Sequence, residues 1–324
     1  MAESVKVVCL GGGHGLAATL SAMRQITNEI TAIVTVADNG GSSGRLRAEF
    51  NSLPPGDLRM ALAALCADDK WGRDWAEIMQ YRFSSDGEMN GHAIGNLLLA
   101  ALWDRDHDPV KGVERVAALL KVVGKVLPMS LQPLDIEAEF QNRSQLVKIR
   151  GQVEVAAATG KMKSLKLIPE NPAATPQALE AISTAQWITI GPGSWLSSVM
   201  PHFLLNEQSA AIVQSKAKKI MILNLPDHKY GDEYSRYTPK EHVELVLAHA
   251  PKLKIDYAVV DKSKFSNSAQ DYAELEKLIT QQGGKLIDEK LASNSSEFHH
   301  DIGKLAQVLR KVIDRKSTRL NSSH

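Results

Sequence analysis

Two aspartates of this chain could together hold a divalent metal ion. Asp38 follows the apolar run Ile33–Val36, and Asp57 follows two prolines and a glycine at 54–56. Magnesium takes one or two protein carboxylates and fills the rest of its coordination shell with water and phosphate oxygens. Each acid also has another role open to it, since Asp38 could bind a ribose hydroxyl and Asp57 could cap a helix. The pair makes Mg²⁺ the candidate cofactor of a phosphate site.

Three glycine-rich loops supply groups that could bind the phosphate itself. They span Gly11–Gly15, Asp38–Gly44 and Gly191–Ser194, and each directly follows an apolar, strand-like run. Glycines let backbone N–H groups approach an anion closely, and a helix that follows directs its positive end to the same place. Three such loops predict a ligand with several negative groups, such as a nucleotide diphosphate or a nucleotide sugar.

The predicted ligand contacts come from these loops and from the segments between them. They share backbone donors, hydroxyls, amides and cations that suit phosphate and sugar groups. The predicted ligand-binding residues are Gly12, Gly13, His14, Gly15, Asp38, Asn39, Gly40, Gly41, Ser42, Ser43, Arg45, Arg59, His92, Asn96, Gly191, Gly193, Ser194 and Asn224. Arg47 could bind phosphate together with Arg45. His92 could instead open a helix, and Asn224 could either contact a base or sugar amide or cap a turn.

The spacing of the first loop excludes two familiar nucleotide motifs. In the pattern G-x-G-x-x-G counted from Gly11, the third glycine position falls on Leu16, so the dinucleotide fingerprint fails. The loop also lacks the Lys-Ser/Thr ending of a P-loop, and a plain strand-to-helix turn stays open for it. We expect no Ser-His-Asp triad built on a nucleophile elbow, and no H-x-x-x-H motif occurs in the chain. The residues therefore suit either group transfer by positioning and electrostatics or binding without chemistry.

The elements that must position these residues alternate between strand-like and helix-like runs. This alternation predicts an α/β fold with a mainly parallel sheet and helices on both faces. Leu134–Phe140 and Ser144–Arg150 flank a polar turn and predict a hairpin, so we expect a small antiparallel insertion at about residues 128–172. We expect residues 1–315 to form a single domain, and the polar segment 316–324 to be a non-native tail.

Individual runs predict individual elements. The segment Val155–Lys166 shows no clear period and predicts irregular structure, and Asp38–Gly44 is predicted to be a loop. The predicted strands of the main sheet are Val5–Leu10, Thr31–Val36, Trp187–Ile190, Ile220–Leu223 and Tyr257–Val260.

Composition narrows the class of protein. The chain has 324 residues, a net charge of +1 and 44% hydrophobic residues. With no excess of positive charge, we expect no nucleic-acid partner. Cys9 and Cys66 offer no disulfide framework, and the apolar surroundings of Cys9 predict a core position. The N-terminus lacks a signal-peptide profile and no apolar run is long enough for a membrane span, so we expect a cytoplasmic protein. The sequence leaves open whether the chain forms a homo-oligomer.

The motifs together resemble the gluconeogenesis factor (YvcK-like) family, within the superfamily of 2-phospho-L-lactate transferase. The resemblance extends from about Val5 to Val260. It is carried by the segments Gly11–Gly15, Ile33–Gly44, Pro54–Arg59, Gln80–Phe83, Gly91–Leu98 and Gly191–Ser194.

This resemblance implies a Rossmann-like fold and, for the closer branch, binding of UDP-sugars, notably UDP-N-acetylglucosamine. It implies a regulator needed for cell shape and cell-wall precursor supply during gluconeogenic growth. The alternative, implied by the transferase branch, is Mg-dependent transfer of a phospho-organic-acid group from a nucleotide carrier. In that branch the acidic metal positions correspond to Asp38 and Asp57.

The chain departs from the closer branch at several positions. His14 stands where threonine is usual, and Asn39 replaces a second aspartate, which removes one carboxylate from a metal site. Trp195 and Leu196 replace a Leu-Tyr pair. The segment Leu223–Glu233 also differs from the usual pattern, which leaves the identity of the sugar or base open.

Overall fold

The computed structural model of the chain describes residues 4–142, 145–225, 237–261, 263, 269–293 and 299–320, with side chains up to residue 314. Residues 226–233 of the segment that departs from the family pattern lie outside the described residues, as do residues 321–324 of the predicted tail. No helix in the described ranges has the length and apolar character that crossing a membrane requires.

Ten strands are present in the described part of the chain. They are β1 (Val7–Gly11), β2 (Ile30–Val34), β3 (Lys125–Pro128), β4 (Asp135–Asn142), β5 (Gln145–Arg150), β6 (Lys161–Ile168), β7 (Trp187–Ile190), β8 (Lys218–Ile222), β9 (Tyr257–Val260) and β10 (Lys285–Asp288). The predicted strands Trp187–Ile190 and Tyr257–Val260 are confirmed at both ends.

The described helices connect these strands. They are α1 (Gly13–Met23), α2 (Gly41–Phe50), α3 (Pro55–Ala64), α4 (Lys70–Gln80), α5 (Ile94–Asp106), α6 (Pro109–Leu119), α7 (Gln152–Ala157), α8 (Pro176–Thr184), α9 (Pro201–Leu204), α10 (Asn206–Gln214), α11 (Pro239–His249), α12 (Ala269–Gln281) and α13 (Ile302–Leu320). A short π-helix, Trp195–Val199, precedes α9.

Seven strands form a sheet in the order β10-β9-β8-β7-β1-β2-β3. Every neighbouring pair in it is parallel, which confirms the predicted α/β fold. All of β1 is buried, as a central strand of a parallel sheet must be. Burial raises the pKa of the Cys9 thiol to about 12, so this cysteine belongs to the core as predicted. The chain order reverses between β1 and β7, and ligands of open α/β sheets bind at such a switch point.

A second sheet of three antiparallel strands, β5-β4-β6, lies between β3 and α8 in sequence. The hairpin predicted from the polar turn is confirmed as β4 and β5. The prediction of irregular structure over Val155–Lys166 is wrong, because α7 and β6 occupy it. β6 pairs with β4 from Asp135↔Ile168 onward, and this cross-strand pairing stabilises a lysine-rich strand that its own period does not reveal.

The second glycine-rich loop is shorter than predicted. Its last residues, Gly41 to Gly44, form the first turn of α2. Ser42 and Ser43 therefore lie at a helix N-terminus, where backbone N–H groups have no partner within the helix. This correction favours an anion at the same position.

Candidate functional site

The first and third loops meet at the switch point between β1 and β7. A Cβ atom on Gly15 would lie 2.2 Å from the Pro192 carbonyl oxygen. Only a residue without a side chain permits this approach of α1 to the loop after β7. The two loops therefore form one continuous backbone surface at the carboxyl ends of the central strands.

A cavity of about 560 Å³, hereafter the larger cavity, opens over this surface. Its walls combine loop backbone with the ends of β7 and β8. The predicted residues that line it are Gly12, Gly13, His14, Gly15, Gly193, Ser194 and Asn224. The structure therefore brings the first and third loops to one binding space.

A second cavity of about 250 Å³, hereafter the smaller cavity, lies at the N-terminus of α2. The predicted residues that line it are Asp38, Gly40, Gly41, Ser42, Ser43, Arg59 and Asn96. Asp57 lines both cavities. The three loops thus serve two adjacent spaces, and the Asp57 carboxylate stands where they join.

Asp57 does not cap α3, because the N-cap position of that helix is Pro54. Its side chain turns to the first loop and accepts a hydrogen bond from the Gly13 N–H. A Cβ on Gly12 would lie 2.3 Å from Asp57 Oδ2, so the missing side chain of Gly12 makes room for the carboxylate. The structure therefore excludes the helix-capping role of Asp57 and places its side chain on the walls of both cavities.

Asp38 faces the same junction from the second loop. Its Oδ1 accepts the Gly40 N–H at 2.8 Å, and the Ser43 hydroxyl donates to the same carboxylate. Burial raises the pKa of Asp38, although these hydrogen bonds oppose the shift. Burial, followed by repulsion from Asp38, raises the pKa of Asp57 to about 7. A buried carboxylate, Asp57, and a half-buried one, Asp38, are therefore held close enough to repel each other.

These two carboxylates fit a magnesium ion. In the described ranges, no group of three or more His, Cys, Asp or Glu side chains is placed to hold a metal. Mg²⁺ needs only one or two carboxylates when phosphate and water complete its shell. A divalent cation would also relieve the repulsion between Asp38 and Asp57. When bound, the ion would supply positive charge to a phosphate group.

Arg59 adds a buried cation to the smaller cavity. The residue is 2% exposed, and its Nε donates to Asn96 Oδ1 at 2.8 Å. Its buried Nη1 has no hydrogen-bond partner among the residues that the structure describes. Burial, followed by repulsion from Arg82, lowers the pKa of this guanidinium to about 10, so it stays charged at neutral pH. A buried donor of this kind is costly unless an anion accepts from it.

Ser42 and His92 support the same wall. Ser42 Oγ lies 3.0 Å from His92 Nδ1 and accepts from Asn96 Nδ2 at 2.9 Å. His92 precedes α5 and does not line either cavity, so its contact with the ligand region passes through Ser42. It acts here as a support for the α2 N-terminus.

Other predicted residues have structural partners instead. Arg45 donates to the carbonyl groups of Glu88 and Asn90 at 2.8 and 2.6 Å, outside both cavities. Arg47 joins α2 to the antiparallel sheet through the Leu134 carbonyl. The structure places neither arginine on the wall of either cavity, and their binding of phosphate stays a prediction. Their guanidinium groups are already used to hold neighbouring chain segments.

Asn39 and Gly191 also lie outside the cavity walls. Asn39 Oδ1 accepts the N–H groups of Gln152 and Val153, and its Nδ2 donates to Glu154 at 2.9 Å. An aspartate could not make this last bond, which gives the departure from the family pattern a physical reason. Gly191 has a φ of +71°, a turn geometry that glycine adopts without strain.

Asn224 holds the third loop in place. Its Oδ1 accepts the Gly193 N–H at 2.9 Å, and its Nδ2 donates to the Gly193 carbonyl at 2.8 Å. Both polar atoms are thus occupied by backbone. Ser194 lines the larger cavity and caps the π-helix by accepting from the Ser197 N–H.

Replacing Asn224 with alanine should destabilise the third loop. The Gly193 N–H and carbonyl would each lose their hydrogen-bond partner in a partly buried position, which lowers the free energy of unfolding by about 1–3 kcal/mol. Denaturant unfolding of the wild type and Asn224→Ala measures this loss. A change below about 0.5 kcal/mol, the usual range for surface substitutions, would contradict the bracing role.

Four polar residues on the wall of the larger cavity were not predicted from the sequence: Gln152, Ser198, His299 and His300. Gln152 arrives from the antiparallel sheet region and donates to Ser197 Oγ at 3.1 Å. Nothing in the local sequence marks it. The two adjacent histidines before α13 were the visible signal, because both carry ring nitrogens that can donate or accept hydrogen bonds.

Comparison with known proteins shows the family to which this chain belongs. The family model for 2-phospho-L-lactate transferase CofD matches residues 7–317. The gluconeogenesis factor of Listeria innocua is 33% identical over 322 residues, which cover 96% of this chain and 97% of that protein. The chain belongs to the gluconeogenesis-factor family, within the CofD superfamily. The resemblance drawn from the loop motifs is confirmed.

Further relatives of the gluconeogenesis-factor family agree in sequence and in structure. A Mycobacterium tuberculosis (strain CDC 1551 / Oshkosh) protein, provisionally named a gluconeogenesis factor, is 42% identical over 313 residues. The match covers 95% of this chain and 90% of that protein. The crystal structure of a UPF0052 family protein from Bacillus halodurans has a TM-score of 0.81 and 31% identity, and the match covers 95% and 99% of the two chains.

Proposed function

We propose that this member of the gluconeogenesis-factor family binds a nucleotide sugar, UDP-N-acetylglucosamine in particular, across the two cavities. In this proposal it is a cytoplasmic regulator that supports cell shape and cell-wall precursor supply during gluconeogenic growth. The cellular role is inferred from the resemblance to the gluconeogenesis-factor family. The binding of a nucleotide sugar is inferred from the residues that line the two cavities.

The observation that carries the proposal is the junction of the two cavities. Asp57 lines both cavities, and Arg59, whose buried Nη1 has no hydrogen-bond partner among the described residues, lines the smaller one. An anion there would pair with the buried guanidinium and with the N-terminus of α2. A magnesium ion held by Asp38 and Asp57 would offset the negative charge of a diphosphate. The larger cavity then receives an uncharged part of the ligand.

Replacing Arg59 with methionine should weaken binding of UDP-N-acetylglucosamine by about 10- to 100-fold, because one charge-assisted contact is lost. Isothermal titration calorimetry with Mg²⁺ present measures the change. Arg24→Met is the matched control, since Arg24 donates to the Ala64 carbonyl at the far end of α1. Failure of the wild type to bind any UDP-sugar at millimolar concentration would refute the proposed function.

A Mg-dependent transferase of a phospho-organic-acid group is the second candidate. The carboxylate pair favours it, because Asp38 and Asp57 would hold the metal beside the transferred group. This candidate predicts Mg²⁺-dependent turnover that is lost in Asp57→Asn while the fold is retained. Ligand binding without metal, and no turnover with any nucleotide-linked acid, would exclude it.

A further inference from the structure

The chain between α4 and α5 folds back on itself beside the smaller cavity. Arg82 forms an antiparallel bridge with Ala93 at the base of this hairpin-like segment. From α2, Arg45 donates to the carbonyl groups of Glu88 and Asn90 in its turn, at 2.8 and 2.6 Å. The backbone that carries Arg82 is therefore anchored both at the base and in the turn of the segment.

The Arg82 side chain lies on the wall of the smaller cavity, which it lines together with Arg59, Asp38 and Asp57. The residue is exposed, and its Nη1 donates to the Gly91 carbonyl at 2.8 Å. This backbone contact fixes one arm of the guanidinium group. Since the planar fork carries further N–H groups and the side chain is exposed, a ligand in the cavity can accept from it.

The charge of Arg82 acts on residues of both cavities. Burial, followed by repulsion from Arg82, lowers the pKa of Arg59 to about 10, and this repulsion exceeds the attraction of Asp57. Burial, followed by the positive charges of His299, Arg59 and Arg82, lowers the pKa of His14 on the wall of the larger cavity. An anion beside the two guanidinium groups would relieve the repulsion between them.

The charged groups of the smaller cavity match a diphosphate in number. Two carboxylates, Asp38 and Asp57, share its wall with two guanidinium groups, Arg59 and Arg82. A magnesium ion on the carboxylates would offset their negative charge. Each phosphate of a nucleotide sugar carries one negative charge, so each can pair with one guanidinium group.

We propose that the guanidinium groups of Arg82 and Arg59, on the wall of the smaller cavity, together bind the diphosphate of the nucleotide sugar. The inference rests on the proposed nucleotide-sugar binding and adds Arg82 as a binding residue. Arg59 supplies a buried charge, and Arg82 supplies an exposed one at the opening of the same space.

Isothermal titration calorimetry with Mg²⁺ and two probes, UDP-N-acetylglucosamine and inorganic pyrophosphate, tests the inference. Arg82→Met should weaken binding of both probes by about 10-fold, because both lose the same charge-assisted contact. Two ligands that share only the diphosphate and lose affinity equally assign Arg82 to that part of the ligand.

Arg73→Met is the matched control. Arg73 is also exposed, and its Nη1 also donates to a backbone carbonyl, that of Asp68 on the other side of α4 from the hairpin-like segment in sequence. It lines neither the larger nor the smaller cavity. We expect this variant to bind both probes within about 2-fold of wild type.

Two further variants separate the charge of Arg82 from its contact with Gly91. Arg82→Gln keeps an N–H donor for the Gly91 carbonyl but removes the charge, so it should bind as weakly as Arg82→Met. Arg82→Lys keeps the charge without the planar fork and should recover part of the affinity. If Arg82→Met does not fold, the glutamine and lysine variants still decide the question.

The outcomes separate this inference from the proposed function. An Arg82→Gln protein that binds both probes as tightly as wild type would overturn the role of Arg82 and leave nucleotide-sugar binding intact. So would a loss of affinity confined to UDP-N-acetylglucosamine, or a wild type that binds this ligand but no pyrophosphate at millimolar concentration. Wild-type protein that binds no UDP-sugar would overturn the proposed function, and the inference with it.

Discussion

Gly15→Ala should lower the free energy of unfolding by about 3 kcal/mol, the upper end of the usual cost of overpacking. The new Cβ would lie 2.2 Å from the Pro192 carbonyl oxygen, 2.5 Å from its carbon and 2.8 Å from the Gly193 Cα. All three are backbone atoms, so no side chain can rotate away. Either α1 or the third loop must move, and the larger cavity changes shape with it.

Denaturant unfolding of wild type and variant measures this cost. Gly87→Ala is the matched control, because a Cβ there meets no atom within 4 Å and the residue has no positive φ. We expect the control to stay within about 0.5 kcal/mol of wild type. A Gly15→Ala protein as stable as the control would show that the two loops do not pack as closely as described.

His242→Phe should make the protein more resistant to acid. Burial lowers the pKa of His242 to about 3, and the pKa values of His202 and His300 to about 4. Between these pKa values and the ordinary value of 6.5, the three histidines are protonated in the unfolded chain and neutral in the folded chain. Above about pH 6.5 these histidines therefore cost the folded state nothing. As the pH falls below 6.5, each one lowers the free energy of unfolding by up to ~1.4 kcal/mol per pH unit.

A comparison of single variants isolates one histidine, since the raised pKa values of Asp38 and Asp57 act in the opposite direction. Between about pH 6 and pH 4, the free energy of unfolding of His242→Phe relative to wild type should rise by about 1.4 kcal/mol for each unit by which the pH falls. His249→Gln, on the exposed face of the same helix, is the control. Parallel curves for wild type and His242→Phe would contradict the prediction.

Local patterns were enough to find the loops and several strands. Trp187–Ile190 and Tyr257–Val260 are short apolar runs bounded by breakers, so their ends could be predicted. β6 was missed because only two of its eight residues are buried and its stability comes from pairing with β4. The helical start at Gly41 was missed because glycine and serine are typical of loops.

Assigning roles to side chains was harder than finding the loops. Arg45 has the residue type and loop position of a phosphate ligand, yet two carbonyl groups hold it elsewhere. Arg59 looks similar in sequence, yet its buried Nη1 has no partner in the described part of the chain. The difference depends on which carbonyl or amide groups the fold places nearby, and no local period encodes that.

The sequence by itself determined the family, the parallel α/β class and the loops at the strand ends, because glycine, strand periods and motif strings are local properties. Only the tertiary structure decided that those loops form two cavities, that Asp57 joins them, and that Gln152 and His300 complete the larger one. Some of these contacts, such as that of Gly15 with Pro192, link segments more than a hundred residues apart. Their geometry follows from strand order and packing, and neither is written in any single stretch of the chain.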